Sequence, residues 1–458
     1  MPDTTQFDVL VLGGGSAGYA AALRAIQLGK TAAVIERDKL GGTCLHRGCV
    51  PTKALLHAAE IADNARDAAH FGVNADLTGV DIAGVTAYRT GIVDKKYKGL
   101  QGLLKARSIP VIAGNGRLTS PTTVDVEGTV YSGRNVVLAT GSYSRSLPGL
   151  DIGGRVITSE QALELDRVPS RVIILGGGVI GVEFASVWRS FGAEVTIVEA
   201  LPHLVPAEEE NVSKALERAF RKRGIEFSLG VRFQGATQDA DGVSVTLEDG
   251  TALQGDYLLV AVGRGANTAN MGYEEVGVQM DRGFVLTNER LETNIPGLYA
   301  VGDIVPGLQL AHRAYQQGIF VAEELAGLAP VVVPDANIPK ITYCDPEVAS
   351  VGLSEAKAKQ QYGDDNVVSY EYNLAGNAKS SILETAGFVK LVRVKDGPIV
   401  GMSGIGARIG ELVSEGQLMV NWEAHPEDVA PFIHAHPTQY EMLGEAALML
   451  AGKPLHTI

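Results

Sequence analysis

The chain has 458 residues, a formal net charge of −14 at pH 7, 45% hydrophobic residues and three cysteines. Three cysteines cannot form the even framework of a disulfide-stapled secreted domain, and the negative charge disfavours general binding to nucleic acid. No signal-peptide pattern opens the sequence and no apolar run of about 18 residues occurs, so we expect a cytoplasmic protein without a membrane span.

The first predicted unit is a strand, a glycine-rich loop, a helix and a second strand. A β-rich run over 7–12 leads into GGGSAG, a helical stretch over 17–28 follows, and a second apolar run over 31–35 ends at Glu36. Glu36 lies 23 positions beyond the first glycine of the loop. This spacing is typical of a βαβ dinucleotide-binding unit, whose helix amino terminus holds phosphates.

Three glycines of that loop have separate expected roles. Gly13 makes the tight turn, Gly15 lets the backbone approach a pyrophosphate, and Gly18 lets helix and strand pack closely. Glu36 would accept hydrogen bonds from a ribose 2′-hydroxyl and repel a 2′-phosphate, although an exposed glutamate at a strand end is the alternative. The acid therefore favours FAD or NAD over NADP.

The stretch GGTCLHRGCVPTK follows the first unit and contains Cys44 and Cys49. On a regular helix, residues five apart have Cα atoms roughly 8 to 9 Å apart, which exceeds the ~7 Å limit of a disulfide. Gly48 and Pro51 allow the distorted turn that a bridge needs. A redox-active pair and two inert cysteines both stay open, whereas a zinc site lacks further ligands because Cys344 stands alone.

A second unit repeats the first. Residues 172–175 lead into GGGVIG, a helix extends to Phe191, and the run 195–198 ends at Glu199, again 23 positions beyond the first glycine. Two copies with the same spacing predict two dinucleotide-binding domains. No arginine follows Glu199 closely, so nothing there would hold a 2′-phosphate.

These motifs together resemble the flavoprotein disulfide reductases. The stretch around the two cysteines is similar to the active-site segment of that family, in which the first unit binds FAD and the second binds the nicotinamide nucleotide. NVVLATGS at 135–142, LYAVGDI at 298–304 and LAHRAYQQG at 310–318 are similar to its remaining flavin motifs. The resemblance extends over essentially the whole chain.

The resemblance implies an α/β fold, with two Rossmann-like dinucleotide-binding domains and a C-terminal α+β dimerisation domain. The expected divisions are an FAD-binding domain over 1–145, an NAD-binding domain over 146–268, a central segment over 269–336 that completes the FAD domain, and an interface domain over 337–458. The family also implies a homodimer whose active site is shared across the interface.

The family motifs assign roles to individual residues of this sequence. The catalytic set is Cys44, Cys49, Lys53, Glu183, His436 and Glu441. The cofactor-binding set is Gly13, Gly15, Gly18, Glu36, Gly42, Thr43, Lys53, Thr140, Gly141, Ser142, Gly176, Gly178, Gly181, Glu199, Gly263, Asp303 and Ala311. No metal site is predicted. Taken alone, Lys53 and Glu183 could equally be charges on helix surfaces.

The stretch HAHPTQYE discriminates among members of the family. The resemblance makes His436 the acid/base and Glu441 the residue that orients its ring. A thiol with an ordinary pKa is mostly protonated at neutral pH, so thiolate chemistry needs such a base. Thr438 to Glu441 also reads as a helix capping box, which would give Glu441 a purely structural role, and we expect His434 to be structural.

Within the family, the chain most resembles the dihydrolipoamide dehydrogenases. Mercuric reductases lack the histidine, soluble transhydrogenases lack one cysteine, and glutathione and trypanothione reductases use NADP. The resemblance implies that Cys44 forms a mixed disulfide with dihydrolipoamide and that Cys49 relays electrons through FAD to NAD⁺. It also implies, as partners, the lipoyl domains of 2-oxo-acid dehydrogenase or glycine-cleavage complexes.

Two pairs of residues differ from the usual family pattern, so the resemblance does not decide which thiol is the substrate. His46-Arg47 between the cysteines and Gln439-Tyr440 before Glu441 differ from the usual residues, and both lie where we expect substrate to enter. An NADH-dependent reductase of another, low-molecular-weight disulfide is therefore the main alternative. A flavin-binding subunit that only docks in a multienzyme assembly is a further one.

Overall fold

The first part of the chain builds a mixed sheet, in which a parallel portion is continued by an antiparallel edge. The computed structural model describes residues 6–457. The elements in this part are β1 (Gln6–Leu12), α1 (Ser16–Gln27), β2 (Ala32–Glu36), α2 (Gly42–His46), α3 (Cys49–Asp67), α4 (Ile82–Ala106), β3 (Val111–Ala113), β4 (Gly116–Ser120), β5 (Thr123–Val126), β6 (Thr129–Leu138) and β7 (Ser142–Ser144). The strand order is β3-β2-β1-β6-β5-β4, in which β3, β2, β1 and β6 are parallel and β5 and β4 form the antiparallel edge.

The second part repeats this arrangement with a five-stranded parallel sheet of order β11-β10-β9-β15-β8. Its elements are β8 (Val156–Ile157), α5 (Ser159–Ala162), β9 (Arg171–Leu175), α6 (Val179–Ser190), β10 (Glu194–Glu199), α7 (Glu210–Lys222), β11 (Ile225–Leu229), β12 (Phe233–Gln238), β13 (Val243–Leu247), β14 (Ala252–Gly255), β15 (Tyr257–Val260) and β16 (Arg264–Ala266). Strands β12 to β14 form a separate antiparallel sheet, and β16 pairs with β7 of the first part.

The chain then returns to the first sheet. The elements of this segment are α8 (Tyr273–Val276), β17 (Met280–Asp281), β18 (Phe284–Val285), β19 (Leu298–Ala300) and α9 (Ala311–Leu325). Strand β19 pairs in parallel with β6, and α9 crosses α1 closely. A Cβ atom at Gly318 would lie 2.2 Å from the carbonyl oxygen of Ala17, so only glycine permits this crossing.

The last part is an antiparallel sheet of order β20-β21-β24-β23-β22 with helices. Its elements are β20 (Lys340–Thr342), β21 (Glu347–Gly352), α10 (Glu355–Tyr362), β22 (Val367–Asn373), α11 (Ala378–Ile382), β23 (Phe388–Val394), β24 (Ile399–Gly406), α12 (Ile409–Asn421), α13 (Pro426–Val429) and α14 (Glu441–Leu450). Helix α12 packs on β21 and β24. On the opposite face, Val348 and Ile405 share a hydrophobic core with Leu216 and Phe220 of α7.

The predicted fold class is therefore confirmed, and the local patterns placed the elements well. The helix expected over 17–28 runs from Ser16 to Gln27. The helix that follows the first cysteine, α3, begins at Cys49 itself and continues to Asp67. In the described residues 6–457, no helix is long and apolar enough to cross a membrane.

Candidate active site

The first glycine of each dinucleotide unit makes a turn that other residues cannot make without strain. Gly13 has φ 109° and Gly176 has φ 113°. A Cβ atom at Gly13 would lie 2.2 Å from the carbonyl oxygen of Ala139, and one at Gly176 would lie 2.4 Å from that of Ala261. Glycine is required at both positions by the fold alone.

The last glycine of each loop, Gly18 or Gly181, is required by close packing between the helix and the loop. A Cβ atom at Gly18 would lie 1.8 Å from the carbonyl oxygen of Gly13, and one at Gly181 would lie 1.9 Å from that of Gly176. Any side chain there would push α1 or α6 away from its sheet. The role predicted for these two glycines agrees with this geometry.

Gly15 and Gly178, which lie just before the two helices, are not required by turn geometry or by packing. Gly15 and Gly178 are the N-caps of α1 and α6, with φ −71° and −78°, and a Cβ atom on either would meet nothing within 4 Å. Neither helix has an acidic residue in its first turn. The space in front of each helix amino terminus fits a dinucleotide pyrophosphate, which free N–H groups and the helix dipole would bind.

The acid at the end of the second strand binds the backbone of the glycine loop in both units. Glu36 Oε2 accepts the N–H of Gly14, and Glu199 Oε2 accepts the N–H of Gly177, both at 2.7 Å. The other oxygen of each carboxylate accepts the N–H of the residue two positions onward. Burial raises the pKa of Glu36, against the hydrogen bond from Gly14. The alternative of a free exposed glutamate is therefore wrong.

A cleft of about 590 Å³ opens beside Glu36. Its walls include the ring of Tyr97 and the apolar side chains of Leu40, Leu104 and Ile109. An apolar cleft with a carboxylate at one end fits a nucleotide base and its ribose. The residues present at the first unit thus fit the adenosine part of FAD.

The two cysteines lie at a break between helices. Helix α2 ends at His46 and α3 begins at Cys49, so the segment departs from a regular helix as the sequence predicted. Cys44 and Cys49 are free thiols joined by a hydrogen bond. That bond, followed by the charge of Lys53, lowers the pKa of Cys49 to about 7 although burial opposes it. The pKa of Cys44 is raised, because it donates this hydrogen bond and is buried.

Lys53 and Glu183 form an ion pair between α3 and α6, in which the carboxylate is buried and the lysine is partly exposed. Lys53 Nζ lies 2.8 Å from both carboxylate oxygens of Glu183, which is 2% exposed. Burial lowers the pKa of Lys53, but the charge of Glu183 and its hydrogen bond outweigh that effect and raise it overall. These residues, which are 130 positions apart, are therefore not independent surface charges.

Tyr343 also contacts this pair, and the sequence did not identify it. Its backbone N–H donates to Glu183 Oε1 at 3.0 Å, and its ring centroid lies 4.8 Å from Lys53 Nζ. Tyr343 follows strand β20 directly. An aromatic residue at a strand end, next to an isolated cysteine, was the available signal.

The remaining flavin-motif residues meet where β6 and β19 end side by side. Ser142 donates a hydrogen bond to Asp303 Oδ2 and accepts one from Arg264 Nε at 2.7 Å. The hydroxyl of Thr140 donates to the carbonyl oxygen of Asn267 at 2.7 Å. Residues from distant stretches thus form one polar edge of the first sheet, where ligands of α/β sheets bind.

The other predicted cofactor residues lie in turns and helix starts around that edge. Gly141 has φ 74° and Gly263 has φ 107°, and Ala311 is the first residue of α9. Gly42 packs against the first glycine loop, since a Cβ atom there would lie 2.9 Å from the Cα of Gly15. Thr43 lies in α2 beside Cys44.

His436 and Glu441 form a hydrogen-bonded pair in the last part of the chain. His436 Nδ1 lies 2.8 Å from Glu441 Oε1, while Glu441 Oε2 accepts the N–H of Thr438 at 2.7 Å. The Thr438 hydroxyl donates to Ala435 instead, so the reciprocal capping box is not formed. Burial raises the pKa of Glu441, but the hydrogen bonds from Thr438 and His436 lower it overall.

Within one chain, this pair does not reach the cysteines. His436 is 72% exposed, and no hydrogen bond in residues 6–457 joins it to Cys44 or Cys49. His434 lies 2.8 Å from Glu415, and its side chain is only 13% exposed. This geometry agrees with the structural role expected for His434.

Comparison with known protein families shows which family the chain belongs to. Residues 7–318 match the pyridine nucleotide-disulphide oxidoreductase family, and residues 338–447 match the dimerisation domain of that family. The chain belongs to this family.

Relatives of this disulphide oxidoreductase align over nearly their whole length. A dihydrolipoyl dehydrogenase of Bacillus subtilis is 39% identical, with 99% of each chain covered. The mitochondrial dihydrolipoyl dehydrogenase of Pisum sativum is 36% identical over 98% of this chain and 92% of its own. A leghemoglobin reductase of Vigna unguiculata is 37% identical, with 98% and 88% covered.

Solved structures of similar proteins have the same fold. The crystal structure of LpdA from Mycobacterium tuberculosis has a TM-score of 0.90 at 27% identity, and covers 98% of this chain and 100% of its own. RclA of Escherichia coli, a flavoprotein disulfide reductase induced by HOCl, has a TM-score of 0.87 at 25% identity, with 97% and 100% covered.

Membership of the pyridine nucleotide-disulphide oxidoreductase family confirms several predictions from the sequence. The disulphide oxidoreductase is an enzyme, and the family implies that it uses FAD and NAD(H). The match to a dimerisation domain supports a homodimer. The resemblance inferred from the cysteine segment and the two glycine loops was therefore correct.

The residues between the cysteines that depart from the usual pattern bind the oxidoreductase's own chain. His46 Nε2 lies 2.8 Å from the carbonyl oxygen of Leu40, and its ring stacks edge-on against Tyr97 at 4.9 Å. Arg47 forms an ion pair with Asp38. Both side chains thus help to hold the loop that follows β2.

The residues before Glu441 differ from each other in exposure. Gln439 is 7% exposed and donates to the carbonyl oxygen of Ala407 at 2.8 Å. Tyr440 is 41% exposed. Arg47 and Tyr440 are the exposed departures, and of these two only Arg47 is held by an ion pair, with Asp38.

Proposed function

We propose that this enzyme oxidises dihydrolipoamide to lipoamide and reduces NAD⁺ to NADH. The observation that carries the proposal is the thiol pair, in which the pKa of Cys49 is lowered to about 7 by Cys44 and Lys53. The His436–Glu441 pair supplies an exposed base of the kind that a dithiol substrate needs. Relatives named dihydrolipoyl dehydrogenase over the whole length support the same reaction.

The chemical step begins with the cysteines joined in a disulfide. His436 accepts a proton from one substrate thiol, and the resulting thiolate attacks the sulfur of Cys44. The bond between Cys44 and Cys49 breaks, a mixed disulfide forms on Cys44, and Cys49 leaves as a thiolate. Because a leaving thiol of low pKa departs faster, the lowered pKa of Cys49 favours this direction of attack.

The second substrate thiol completes the exchange. It attacks the substrate sulfur held in the mixed disulfide, Cys44 departs with a proton, and the cyclic disulfide of lipoamide is released. Two electrons have then passed from the substrate dithiol to the cysteine pair. This thiol–disulfide exchange needs no water and no further oxidant.

The two cofactors would be held by groups already in place. FAD, when bound, accepts the two electrons from the cysteine pair and passes them to NAD⁺. Gly15, Glu36 and Asp303 would hold FAD, and Gly178 and Glu199 would hold NAD(H). Lys53 would lie beside the reacting thiolate and stabilise its charge, while Glu183 would hold the ammonium group of Lys53 in place.

The partners follow from the same reaction. The substrate dithiol would be carried by lipoyl domains of 2-oxo-acid dehydrogenase or glycine-cleavage complexes. The exposure of His436, and its separation from the cysteines of its own chain, support a site completed across a homodimer. The cytoplasmic location stays a prediction, since some relatives have mitochondrial names.

The test is a steady-state assay of the purified yellow protein with NAD⁺ and dihydrolipoamide. We expect His436→Gln to lower turnover by about 10²- to 10⁴-fold, as for loss of a general base, while the flavin spectrum is unchanged. His434→Gln is the matched control, because this histidine is bound to Glu415 and not to Glu441. Wild-type turnover in His436→Gln would exclude this role.

The second candidate function is NADH-dependent reduction of another small disulfide. It is favoured by the exposed Tyr440 beside the His436–Glu441 pair. Turnover with lipoamide and a panel of other disulfides, each with NADH and NADPH, separates the two. A protein that only docks in an assembly would turn over none of them.

A further inference from the structure

The ion pair of Lys53 and Glu183 is closed on a third side by Tyr343. The first two residues come from α3 and α6, whereas Tyr343 follows β20 in the last part of the chain. Three separate segments therefore meet at one ammonium group. Its surroundings determine where its charge lies relative to Cys49.

Tyr343 contacts both members of the pair through different atoms. Its backbone N–H donates to Glu183 Oε1 at 3.0 Å, the same oxygen that lies 2.8 Å from Lys53 Nζ. Its ring lies under the ammonium, with the centroid 4.8 Å from Nζ. The backbone thus restrains the carboxylate, and the ring restrains the lysine.

The charged groups around Tyr343 and Cys49 are few. Glu183 and Lys53 lie near both residues, and Cys44 lies near Cys49. Glu347 and Glu411 lie near Tyr343 from the last part of the chain. Among these groups, Lys53 is the only cation, so its position affects how strongly a thiolate at Cys49 is stabilised.

We propose that Tyr343 is a positioning residue whose ring and backbone N–H hold the Lys53 ammonium where it stabilises the Cys49 thiolate. An aromatic face attracts a nearby ammonium electrostatically, and the attraction keeps Lys53 from turning toward water. This inference rests on the proposed function only in taking Cys49 as a reacting thiol.

The chain offers matched variants for the test. Among the described residues, no hydrogen bond involves the Tyr343 hydroxyl, so Tyr343→Phe keeps every contact on which the proposal depends. Tyr343→Leu keeps the backbone N–H and an apolar side chain but removes the aromatic face. Tyr343→Met is the second variant, should the leucine protein not retain flavin.

The readout is the pH dependence of alkylation at Cys49 in the dithiol-reduced, FAD-containing protein. Trypsin cuts after Lys39, Arg47 and Lys53, so mass spectrometry measures Cys44 and Cys49 on separate peptides. We expect Tyr343→Leu to lower the acid dissociation constant of Cys49, obtained from this pH profile, by about two- to fivefold, the size of a typical cation–π contact. Tyr343→Phe should match the wild type.

A double-mutant cycle excludes a merely structural effect. In a Lys53→Met background, Tyr343→Leu should cause no further change at Cys49, because the lysine that it positions is absent. The proposal is overturned if Tyr343→Leu and Tyr343→Met leave the profile unchanged, if Tyr343→Phe shifts it as much as they do, or if the shift persists without Lys53. Since alkylation requires neither lipoamide nor NAD⁺, failure of the proposed reaction would be seen separately in turnover.

Discussion

Glu441 binds the ring of His436 with one carboxylate oxygen and the backbone N–H of Thr438 with the other, at 2.8 Å and 2.7 Å. Because a carboxylate accepts hydrogen bonds, Nδ1 of a neutral His436 must carry the proton. Nε2 then has the free lone pair. This relationship makes Nε2 the atom that would take a proton from a substrate thiol.

Replacement of Glu441 by glutamine should therefore impair turnover without unfolding the protein. An amide can still bond to Thr438, but it presents either N–H or C=O to His436 and no longer fixes the tautomer. We expect kcat/KM for dihydrolipoamide to fall by at least about tenfold, because base catalysis depends on the correct protonation of the ring. Glu415→Gln, which changes the partner of His434, is the control and should stay near wild type.

The hydrogen bond between the two thiols gives a second prediction. Since the bond from Cys44 is the largest influence that lowers the pKa of Cys49, Cys44→Ala should raise that pKa above about 7. The thiolate fraction of Cys49 at pH 7 should then fall. The alkylation rate of Cys49 measured across pH 5 to 10 checks this shift.

A matched control for that experiment is Cys344→Ala. Cys344 is 1% exposed, and burial raises its pKa well above that of an ordinary thiol. Its removal should leave the profile of Cys49 unchanged. A Cys44→Ala protein whose Cys49 titrates as in the wild type would contradict the role of the thiol–thiol hydrogen bond.

The parts of the site that follow local rules were predictable from the sequence, and the parts made by tertiary packing were not. The positive φ of Gly13 and the contact of Gly18 with Gly13 both lie within one βαβ unit, so the spacing of these glycines was enough. Lys53 and Glu183 are far apart in sequence, and only a family resemblance paired them. Tyr343 contacts the pair through its backbone and its ring face, and its place at a strand end beside an isolated cysteine did not indicate which residues it would contact.

The contrast between Gly178 and Gly181 gives a third prediction. A Cβ atom at Gly178 meets nothing within 4 Å and φ there is ordinary, so Gly178→Ala should leave the fold intact or stabilise it by about 0.4–1 kcal/mol. It should nevertheless raise the KM for NADH, because the methyl group would occupy the space in front of α6. Thermal unfolding and steady-state kinetics measure the two effects.

Gly181→Ala is the opposite case. A Cβ atom there would lie 1.9 Å from the carbonyl oxygen of Gly176, so this variant should be destabilised before any ligand is added. If Gly178→Ala binds NADH as tightly as the wild type, the space at α6 is not the pyrophosphate site.

The hydrogen bonds between Glu199 and the backbone of its glycine loop give a fourth prediction. Its oxygens accept the backbone N–H groups of Gly177 and Leu201 at 2.7 Å and 2.8 Å. Glu199→Ala should therefore weaken NADH binding and also lower stability by about 1–2 kcal/mol, since two hydrogen bonds to a charged acceptor are lost. It should not create useful activity with NADPH, because no cation is added. A variant of unchanged stability that accepts NADPH would show that the carboxylate only selects the cofactor.

Acid stability should depend on Glu355, which lies between Lys359, Lys390 and Ser369. Burial raises the pKa of Glu355, but the hydrogen bonds from these three groups outweigh it and lower the pKa to about 2. Because the pKa is lowered, the ionised carboxylate stabilises the folded state fully at pH values above the unfolded pKa, near 4.3. This contribution, about 2–3 kcal/mol, is lost as the pH falls toward 2. Denaturant unfolding between pH 2.5 and 7 should show Glu355→Gln less stable than the wild type at pH 7, with the difference shrinking below pH 4. Glu210→Gln removes an exposed Glu–Lys pair of the same helical spacing and should follow the wild type throughout.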